Sequence, residues 1–498
     1  MDILLDAKYN FPNAKYNFRF TTTFILATIM SSLAASNDDS LPGDMVDFLN
    51  ASWTCFHAIQ ESVRRLKLVG YQEIFERDGW RNKLEAGGKY FFTRNDSSII
   101  AFAVGKKYKA GNGIISIGAH SDSPCLKLKP RSKVTSCGYQ QLGVQTYGGG
   151  LWNTWFDRDL GIAGRVVIKE DGGKSIKVKL VQINKPVCRI PTLAVHLARG
   201  TGTKLEINCE TSLPPVIAST LKAQLSETDE AGNSHHTVLL GLIAEELGVE
   251  TGQIEDFELQ LCEVQPSTIG GAKSEFIFSG RLDNLCSSYC GLRALIDTTS
   301  SEDALDEEES IRLLAVFDHE EIGSTSTSGA RGSLMMDSIK RIAKAFSDPA
   351  GLGDVVEQST QRSFIISADM AHGIHPNYAG KHEKNHAPAF HEGVVIKTNA
   401  NQRYATNAIT SYMFKEFARR GNGKIQEFVI RQDMGCGSTI GSILAAGCGI
   451  RTVDVGCPQW SMHSAREVMG TDDVIHAVRI FRAAYTEFTD VDRLMQQR

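Results

Sequence analysis

The chain has 498 residues, a length that predicts one large domain or two interlocked domains. Its hydrophobic content of 42% and charged content of 22% are those of an ordinary globular protein. The net charge of -5 and the lack of a basic block argue against partners that carry dense negative charge, so neither a nucleic acid nor a membrane is expected to bind.

The first 43 residues differ from the rest and are expected to be a disordered tail, or the product of an over-extended start with Met30 as the working initiator. The pentapeptide AKYNF occurs at residues 7–11 and again at 14–18. The apolar run 24–30 follows Arg19 and loosely resembles a signal peptide, but it is far too short to span a bilayer. The 11 cysteines include no CxxC pair, which favours a reducing compartment over a disulfide framework. A cytoplasmic protein is therefore expected.

Helical periodicity opens the ordered part of the chain. Apolar residues recur at three- and four-residue steps over residues 44–70 and predict a helix that ends at Gly70. Short extended segments follow in KYFFTR, SIIAFAVG and NGIISIGAH. From residue 127 to residue 264 the pattern changes to alternating strands, many glycines and a loop at 226–236. This block is predicted to be a β-rich domain inserted into the first one.

After residue 264, apolar strands alternate with helices, which are predicted over residues 284–297, 333–346, 404–420 and 472–488. The acidic stretch 300–310 is predicted to be a solvated loop. Strands that alternate with helices predict an α/β fold, in which a mostly parallel sheet carries helices on both faces. The predicted organisation is a tail at 1–43, an α/β domain made of 44–126 and 265–498, and the insertion at 127–264.

Five predicted strands end in side chains that can bind a ligand. In an open parallel sheet, ligands collect outside the carboxyl ends of the strands. Each residue has an ordinary alternative, such as a core histidine, a helix cap or a charge pair at a helix N-terminus. The recurrence at five strand ends favours a common site. The residues at these ends are His120 with Asp122, Asp283, Glu320 with Glu321, Asp369 with His372, and His463.

Two imidazoles and three or four carboxylates predict a pair of divalent cations. Imidazole and carboxylate together favour zinc, with cobalt or manganese as alternatives. Two metals about 3.5–4 Å apart need a carboxylate that bridges them. Their positive charge would make the adjacent Glu320 and Glu321 favourable, because one glutamate can bind metal while the other moves protons.

Six ordered motifs resemble those of the aspartyl aminopeptidases, di-zinc metallopeptidases of the M18 type. The resemblance runs from about residue 44 to the C-terminus and implies the di-zinc aminopeptidase fold, with the insertion as a dimerisation domain. The motifs are GAHSDSPCLKLKP at 118–130, SGRLDNL at 279–285, FDHEEIGS at 317–324, SADMAHGIHPNY at 367–378, VIKTNANQRYATNA at 395–408 and MHSAREVMG at 462–470.

The resemblance also implies a role for each metal-binding residue. His120 and Asp369 would hold one ion, Glu321 and His463 would hold the other, and Asp283 would bridge both. Two divalent ions per subunit are expected, with zinc as the first choice.

The same resemblance implies the catalytic and substrate-binding groups. Glu320 would be the general base toward a metal-activated water, and Asp122 would orient His120. Lys397 would supply the cation that recognises an acidic first residue, with Arg403 as a second candidate. The expected substrate contacts are His196, supplied across a subunit interface, and His372, Lys397 and Tyr404.

The expected function is therefore that of an aminopeptidase, a hydrolase acting on the first peptide bond of small peptides with N-terminal Asp or Glu. Three alternatives stay open: a vacuolar type of the same family that prefers neutral residues, a non-catalytic scaffold of the same fold, and a metallohydrolase acting on carboxy-terminal or acylated substrates. The resemblance also implies a homo-oligomer, in which dimers formed through the insertion assemble into a dodecamer.

Overall fold

A computed structural model of the chain describes residues 38–198, 206–223, 234–348 and 353–496. Most of the predicted tail and most of the loop 226–236 therefore lie outside the described residues. The described helices, in chain order, are α1 (Leu41–Ala51), α2 (Cys55–Leu68), α3 (Thr220–Ala223), α4 (Thr237–Leu247), α5 (Leu282–Asp297), α6 (Leu334–Ala345), α7 (Val355–Arg362), α8 (Ala408–Arg420), α9 (Ile440–Cys448) and α10 (Thr471–Gln496).

The strands range in length from 2 to 14 residues. In chain order they are β1 (Gln72–Glu73), β2 (Lys89–Arg94), β3 (Ser98–Val104), β4 (Ile114–His120), β5 (Cys125–Ser136), β6 (Tyr139–Tyr147), β7 (Leu160–Glu170), β8 (Ser175–Cys188), β9 (Val216–Ser219), β10 (Ile254–Glu263), β11 (Thr268–Gly270), β12 (Phe276–Ser279), β13 (Ile311–Phe317), β14 (Phe364–Ala368), β15 (Ala371–His372), β16 (Val394–Lys397), β17 (Ile425–Phe428), β18 (Arg451–Gly456), β19 (Pro458–Trp460) and β20 (Glu467–Gly470).

Within the described residues the strands form three sheets. The main sheet has the order β1-β2-β3-β13-β4-β14-β18-β16-β17, and its central strands β13, β4, β14 and β18 are mutually parallel. The second sheet has the order β8-β7-β10-β5-β6-β9, and all its strands lie between Cys125 and Glu263. The third, small sheet has the order β11-β12-β20-β19-β15. Strands and helices therefore form the α/β fold that the sequence predicts.

The central strands are apolar on both faces because helices cover both sides of the main sheet. Every residue of β4 and of β13 is buried. Ile117 and Leu314 pack in one hydrophobic cluster with residues of α5, α8 and α10. Ile114 and Leu313 pack in a second cluster with residues of α6 and α9. No helix in the described part of the chain is both long and apolar enough to cross a membrane.

Three local predictions need correction. The single helix predicted over residues 44–70 is two helices, because Thr54 caps α2 by accepting a hydrogen bond from the His57 N–H. The helix predicted from residue 404 begins at Ala408, where Asn407 accepts hydrogen bonds from two backbone N–H groups. The acidic stretch is not wholly solvated, since Leu305 is buried and Glu308 is buried in an ion pair with Arg312.

Candidate metal centre

The parallel central strands bring four predicted residues to one edge of the main sheet. His120 is the last residue of β4, and its register partner Phe317 is the last residue of β13. Glu320 and Glu321 follow β13 in a short 3-10 turn. Asp369 follows β14, which pairs with β4 on its other side. Since these strands run in the same direction, their carboxyl ends place the side chains together.

The other two predicted ligands come from the small third sheet and not from the main one. Asp283 lies in the first turn of α5, directly after β12. His463 lies in the loop between β19 and β20. Strand β20 pairs with β12, so this sheet holds Asp283 and His463 near each other.

Asp283 stands between the two histidines. His120 Nε2 lies 3.3 Å from Asp283 Oδ1 and 3.6 Å from Asp369 Oδ1. His463 Nε2 lies 3.5 Å from Asp283 Oδ2 and 3.3 Å from Glu321 Oε2. The two oxygens of Asp283 thus belong to two adjacent groups of ligand atoms.

Both histidines direct Nε2 into the cluster because Nδ1 is used elsewhere. His120 Nδ1 lies 3.0 Å from the backbone oxygen of Asp122, and His463 Nδ1 lies 3.0 Å from the backbone oxygen of Gly149. A carbonyl oxygen only accepts a hydrogen bond, so Nδ1 carries the proton in each ring. In the neutral ring Nε2 then carries the lone pair that a metal ligand needs.

The cluster has the composition and spacing that metal binding requires. Adjacent ligands of a tetrahedral zinc ion lie about 3.3 Å apart, given Zn–N and Zn–O bonds near 2.0–2.1 Å. Asp283 Oδ1 and Glu321 Oε1 are buried and have no hydrogen-bond partner among the described atoms. An orphaned buried carboxylate oxygen is costly unless a cation or donor satisfies it. Three residue groups place their ligand atoms close enough to hold an ion: His120 with Asp283 and Asp369, Asp283 with Glu321 and His463, and His120 with Glu320 and Glu321.

Electrostatics support the same conclusion, because the crowded environment shifts the pKa values of Glu320, Glu321 and Asp283. Burial, and then the nearby Asp369 and Asp283, raise the pKa of Glu320 to about 8, although His120 opposes this. Burial raises the pKa of Glu321 well above its usual value. Burial opposes ionisation of Asp283 too, but the adjacent His120 and His463 rings lower its pKa overall. Cations at the cluster would stabilise the carboxylates in their charged form.

Asp122 has a wider structural role than the orientation of His120. Its Oδ1 lies 3.4 Å from His120 Nδ1, farther than the ring is from the Asp122 backbone oxygen. The carboxylate instead accepts hydrogen bonds from the backbone N–H groups of Glu320 and Glu321, each at 3.1 Å. Asp122 therefore fixes the peptide that carries both adjacent glutamates.

Residues 48–485 match the sequence model of the family described as Aminopeptidase I zinc metalloprotease (M18). This chain belongs to the M18 family. It is a metallo-aminopeptidase, a hydrolase with a metal cofactor, and the family prediction made from the six motifs is confirmed.

Relatives and solved structures agree with this membership. The probable aspartyl aminopeptidase of Ricinus communis is 53% identical over 478 residues, which cover 91% of this chain and 96% of that protein. The aspartyl aminopeptidase of Aspergillus oryzae is 46% identical over 497 residues, covering 93% and 99%. The cryo-EM structure of the Ape4 and Nbr1 complex has a TM-score of 0.89 at 42% identity, covering 92% of this chain and 87% of that chain. The structure of the Saccharomyces cerevisiae mApe1 dodecamer has a TM-score of 0.81 at 32% identity, covering 93% and 100%.

Three of the four predicted substrate contacts of this M18 chain lie beside the cluster. His372 faces a cleft of about 310 Å³ that Trp460 and Met462 also line. Burial and the Lys397 ammonium lower the pKa of His372. Lys397 Nζ lies 5.2 Å from the centre of the Tyr404 ring, and both side chains are buried.

His196 is the predicted contact that the structure does not bring to the M18 cluster. It lies in the exposed segment 191–198 that follows β8 in the second sheet. His196 is expected to reach the site of a second subunit, and the structure of a single chain does not test that expectation.

Glu467 is a buried residue of the centre that sequence reasoning missed. Its Oε2 accepts a hydrogen bond from the Asp283 N–H at 3.2 Å, and its Oε1 accepts one from the His463 N–H at 2.8 Å. It therefore holds the backbones of two predicted ligands together. Glu467 lies inside the motif MHSAREVMG, four residues after His463, but no local pattern separates such a supporting glutamate from a surface one.

Proposed function

We propose that this M18 chain removes N-terminal Asp or Glu from small peptides, with two divalent ions, zinc in the first instance, at the described cluster. The observation that carries the specificity is Lys397. This lysine is 2% exposed, and its Nζ donates one hydrogen bond, to the Met370 backbone oxygen at 3.1 Å. Among the described residues it has no ion-pair partner. A buried ammonium without a counter-ion is costly unless a ligand supplies the negative charge.

The metal assignments follow the two groups around Asp283. His120 and Asp369 would hold one ion, Glu321 and His463 the other, and Asp283 would bridge them. When bound, such ions polarise the scissile carbonyl and lower the pKa of the attacking water. Zinc, cobalt and manganese share these ligand types, so the resident ion has to be identified by metal analysis.

Glu320 is the group that we assign to proton transfer. Its Oε2 lies 3.9 Å from His120 Nε2, the longest of that ring's carboxylate distances in the cluster, so it borders the site without occupying its centre. A carboxylate in this place would accept a proton from the attacking water and deliver it to the leaving amine. Asp122 would keep this carboxylate in place by holding the Glu320 backbone N–H.

Asp454 offers an ordinary explanation for Lys397: burial raises the pKa of this carboxyl, and the Lys397 charge opposes the rise. Among the described residues, however, Asp454 forms no ion pair with Lys397; its Oδ1 accepts the Thr439 hydroxyl at 2.5 Å and its Oδ2 accepts the Ala405 N–H at 2.6 Å. The ammonium therefore keeps donors for a substrate carboxylate. Tyr404 beside it would define one wall of the pocket for the first side chain.

The test compares aspartyl and leucyl chromogenic amides with wild type and Lys397→Met. A hydrogen bond to a charged group contributes about 1.5–3 kcal/mol, so kcat/KM for the aspartyl amide should fall about 10- to 150-fold. The leucyl value should change little. Lys89→Met is the matched control, because Lys89 Nζ bonds only backbone oxygens, those of Val69 and Thr299, away from the cluster. Faster leucyl than aspartyl release by wild type would refute the acidic preference.

Two further measurements separate the open alternatives. Acetylation of the substrate's amino group should abolish hydrolysis if the enzyme is an aminopeptidase, whereas continued hydrolysis would favour a metallohydrolase for acylated substrates. A protein that binds metal but hydrolyses neither amide would favour the scaffold.

We also propose a homo-oligomer built from dimers through the second sheet; the similar yeast mApe1 is a dodecamer. Six apolar side chains on or near this sheet are more than half exposed in the single chain, an arrangement that a second copy would cover. They are Ile176, Val178, Leu193, Val195, Leu197 and Leu221. His196 lies among them, where a partner could receive it. Native mass spectrometry should show a dodecamer, and Val195→Asp with Leu197→Asp should yield smaller species; a wild-type monomer would refute this.

We place the enzyme in the cytoplasm, since all 11 cysteines are free thiols, as a reducing compartment requires. Cell fractionation tests this, and recovery in the vacuolar fraction would favour the alternative compartment.

A further inference from the structure

One segment of the inserted block reaches back to the metal centre. Residues 147–154, here named the clamp segment, begin with the last residue of strand β6 in the second sheet and continue into the loop after it. The Gly149 oxygen accepts the His463 Nδ1–H, and the Leu151 N–H donates to the His463 oxygen at 2.9 Å. Thr154 Oγ1 accepts the Ala465 N–H at 2.9 Å. Three residues of one segment thus hold the loop that carries His463.

Gly148 brings the same segment against Glu321. It has a φ of +73°, and a side chain at this position would place its Cβ 3.2 Å from the Glu321 Cβ. A residue other than glycine would therefore be both strained and crowded. The close approach places the clamp segment in contact with two of the proposed ligands, Glu321 and His463.

Tyr147 connects the clamp segment to the other side of the centre. Its hydroxyl donates to Asp122 Oδ2 at 2.7 Å, the shortest contact of that buried carboxylate. The same oxygen accepts the Glu321 N–H. The Lys127 ammonium lies 4.3 Å from the centre of the Tyr147 ring and holds the ring from its face. The hydroxyl is thus fixed at the carboxylate that positions both glutamates.

We infer that Tyr147 is a positioning residue that sets the placement of Glu320 and Glu321 through Asp122. Together with the rest of the clamp segment, it connects the second sheet to the metal centre. This inference rests on the proposed function, which gives the two glutamates their roles. Without the hydroxyl, Asp122 Oδ2 keeps one donor instead of two and can rotate toward a new partner. Its hold on the Glu321 N–H then weakens, and displacement of a supporting group costs metal affinity and turnover.

The test is Tyr147→Phe, which removes one oxygen and retains the ring beside Lys127. Tyr485→Phe is the matched control, because that buried tyrosine donates to the Leu313 backbone oxygen at 2.9 Å, inside the main sheet. We expect about a tenfold fall in kcat on an aspartyl amide with KM nearly unchanged, and about a tenfold weaker hold on zinc in competition with a chelator. Both variants should lower the unfolding temperature to a similar extent.

Equal kcat and equal zinc retention in Tyr147→Phe and wild type would overturn the inference. Equal losses in Tyr485→Phe would also overturn it, since general destabilisation would then suffice. The zinc measurement needs no turnover, so it remains decisive if wild type proves inactive and the proposed function fails. If wild type is active and Tyr147→Phe has the same zinc retention and the same kcat, the positioning role is refuted while the proposed function stands.

Discussion

Glu320 and Glu321 are neighbours in the sequence, but their replacement by glutamine is expected to have different effects. Glu321 Oε2 lies 3.3 Å from His463 Nε2, and its Oε1 is buried with no hydrogen-bond partner among the described residues. Glu321→Gln should therefore weaken metal binding by more than the roughly 10- to 100-fold that loss of a supporting group costs. Glu320→Gln should keep its metal and lose the general base, a loss of about 10²–10⁴ in kcat.

The assay measures metal content and turnover on the same samples. Each variant is purified, metal is quantified by mass spectrometry, and kcat on an aspartyl amide is measured with and without added zinc. Added zinc should restore part of the activity of Glu321→Gln and none of the activity of Glu320→Gln. Unchanged turnover in Glu320→Gln, or equal metal loss in both variants, would refute the division of roles.

Three other substitutions test the supporting structure. Asp122→Asn should lower kcat and zinc retention about 10- to 100-fold, because an amide cannot accept at both positions the N–H groups of Glu320 and Glu321; wild-type zinc retention would contradict this. His57→Gln tests stability at acid pH. Burial, and then Arg281, lower the pKa of His57 in the folded state to about 4. Because the unfolded chain binds this proton at a pH of about 6.5, wild type loses stability as the pH falls from about 6.5 to 4. From pH 7 to 5, urea unfolding should show wild type losing about 2 kcal/mol more than His57→Gln, and equal losses would contradict this. Leu314→Ala, in the buried centre of β13, should cost about 2–5 kcal/mol of unfolding free energy without lowering kcat of the folded enzyme; a kcat loss would show that core and site are coupled.

The part of the site that the main sheet builds could be predicted from the sequence. His120 ends an apolar strand, and Glu320, Glu321 and Asp369 each follow one. Parallel strands place their carboxyl ends at one edge of the sheet, where β13, β4 and β14 are neighbours. Asp283 also follows an apolar strand, but that strand, β12, belongs to the small third sheet and not to the main one. The sequence around β12 does not indicate which sheet this strand joins, because that depends on its pairing with β20, nearly 200 positions later.

The supporting residues could not be predicted in the same way. Tyr147 and Asp122 are 25 positions apart: Asp122 lies in the loop between β4 and β5, and Tyr147 ends β6 opposite Cys125. Their contact depends on the β5–β6 register, which shifts between Leu128 and Lys133 and which no local sequence pattern fixes. The break after α1 was missed for a simpler reason: apolar periodicity continues through residues 52–54, although Thr54 starts a new helix. Helices α3, α4, α7 and α9 went unpredicted within the described residues, and α9 contains Gly441 and Gly447, a residue type with weak helical preference.

The most direct test of the account is the metal content of the purified enzyme and of two ligand variants. Wild type should contain about two divalent ions per chain, His463→Ala about one, and Asp283→Ala almost none, because Asp283 faces both histidines. Chelation should abolish release of N-terminal aspartate, and zinc should restore it. A correctly assembled wild-type sample that binds no transition metal and stays inactive when zinc is added would contradict the proposal that this cluster binds two catalytic metal ions.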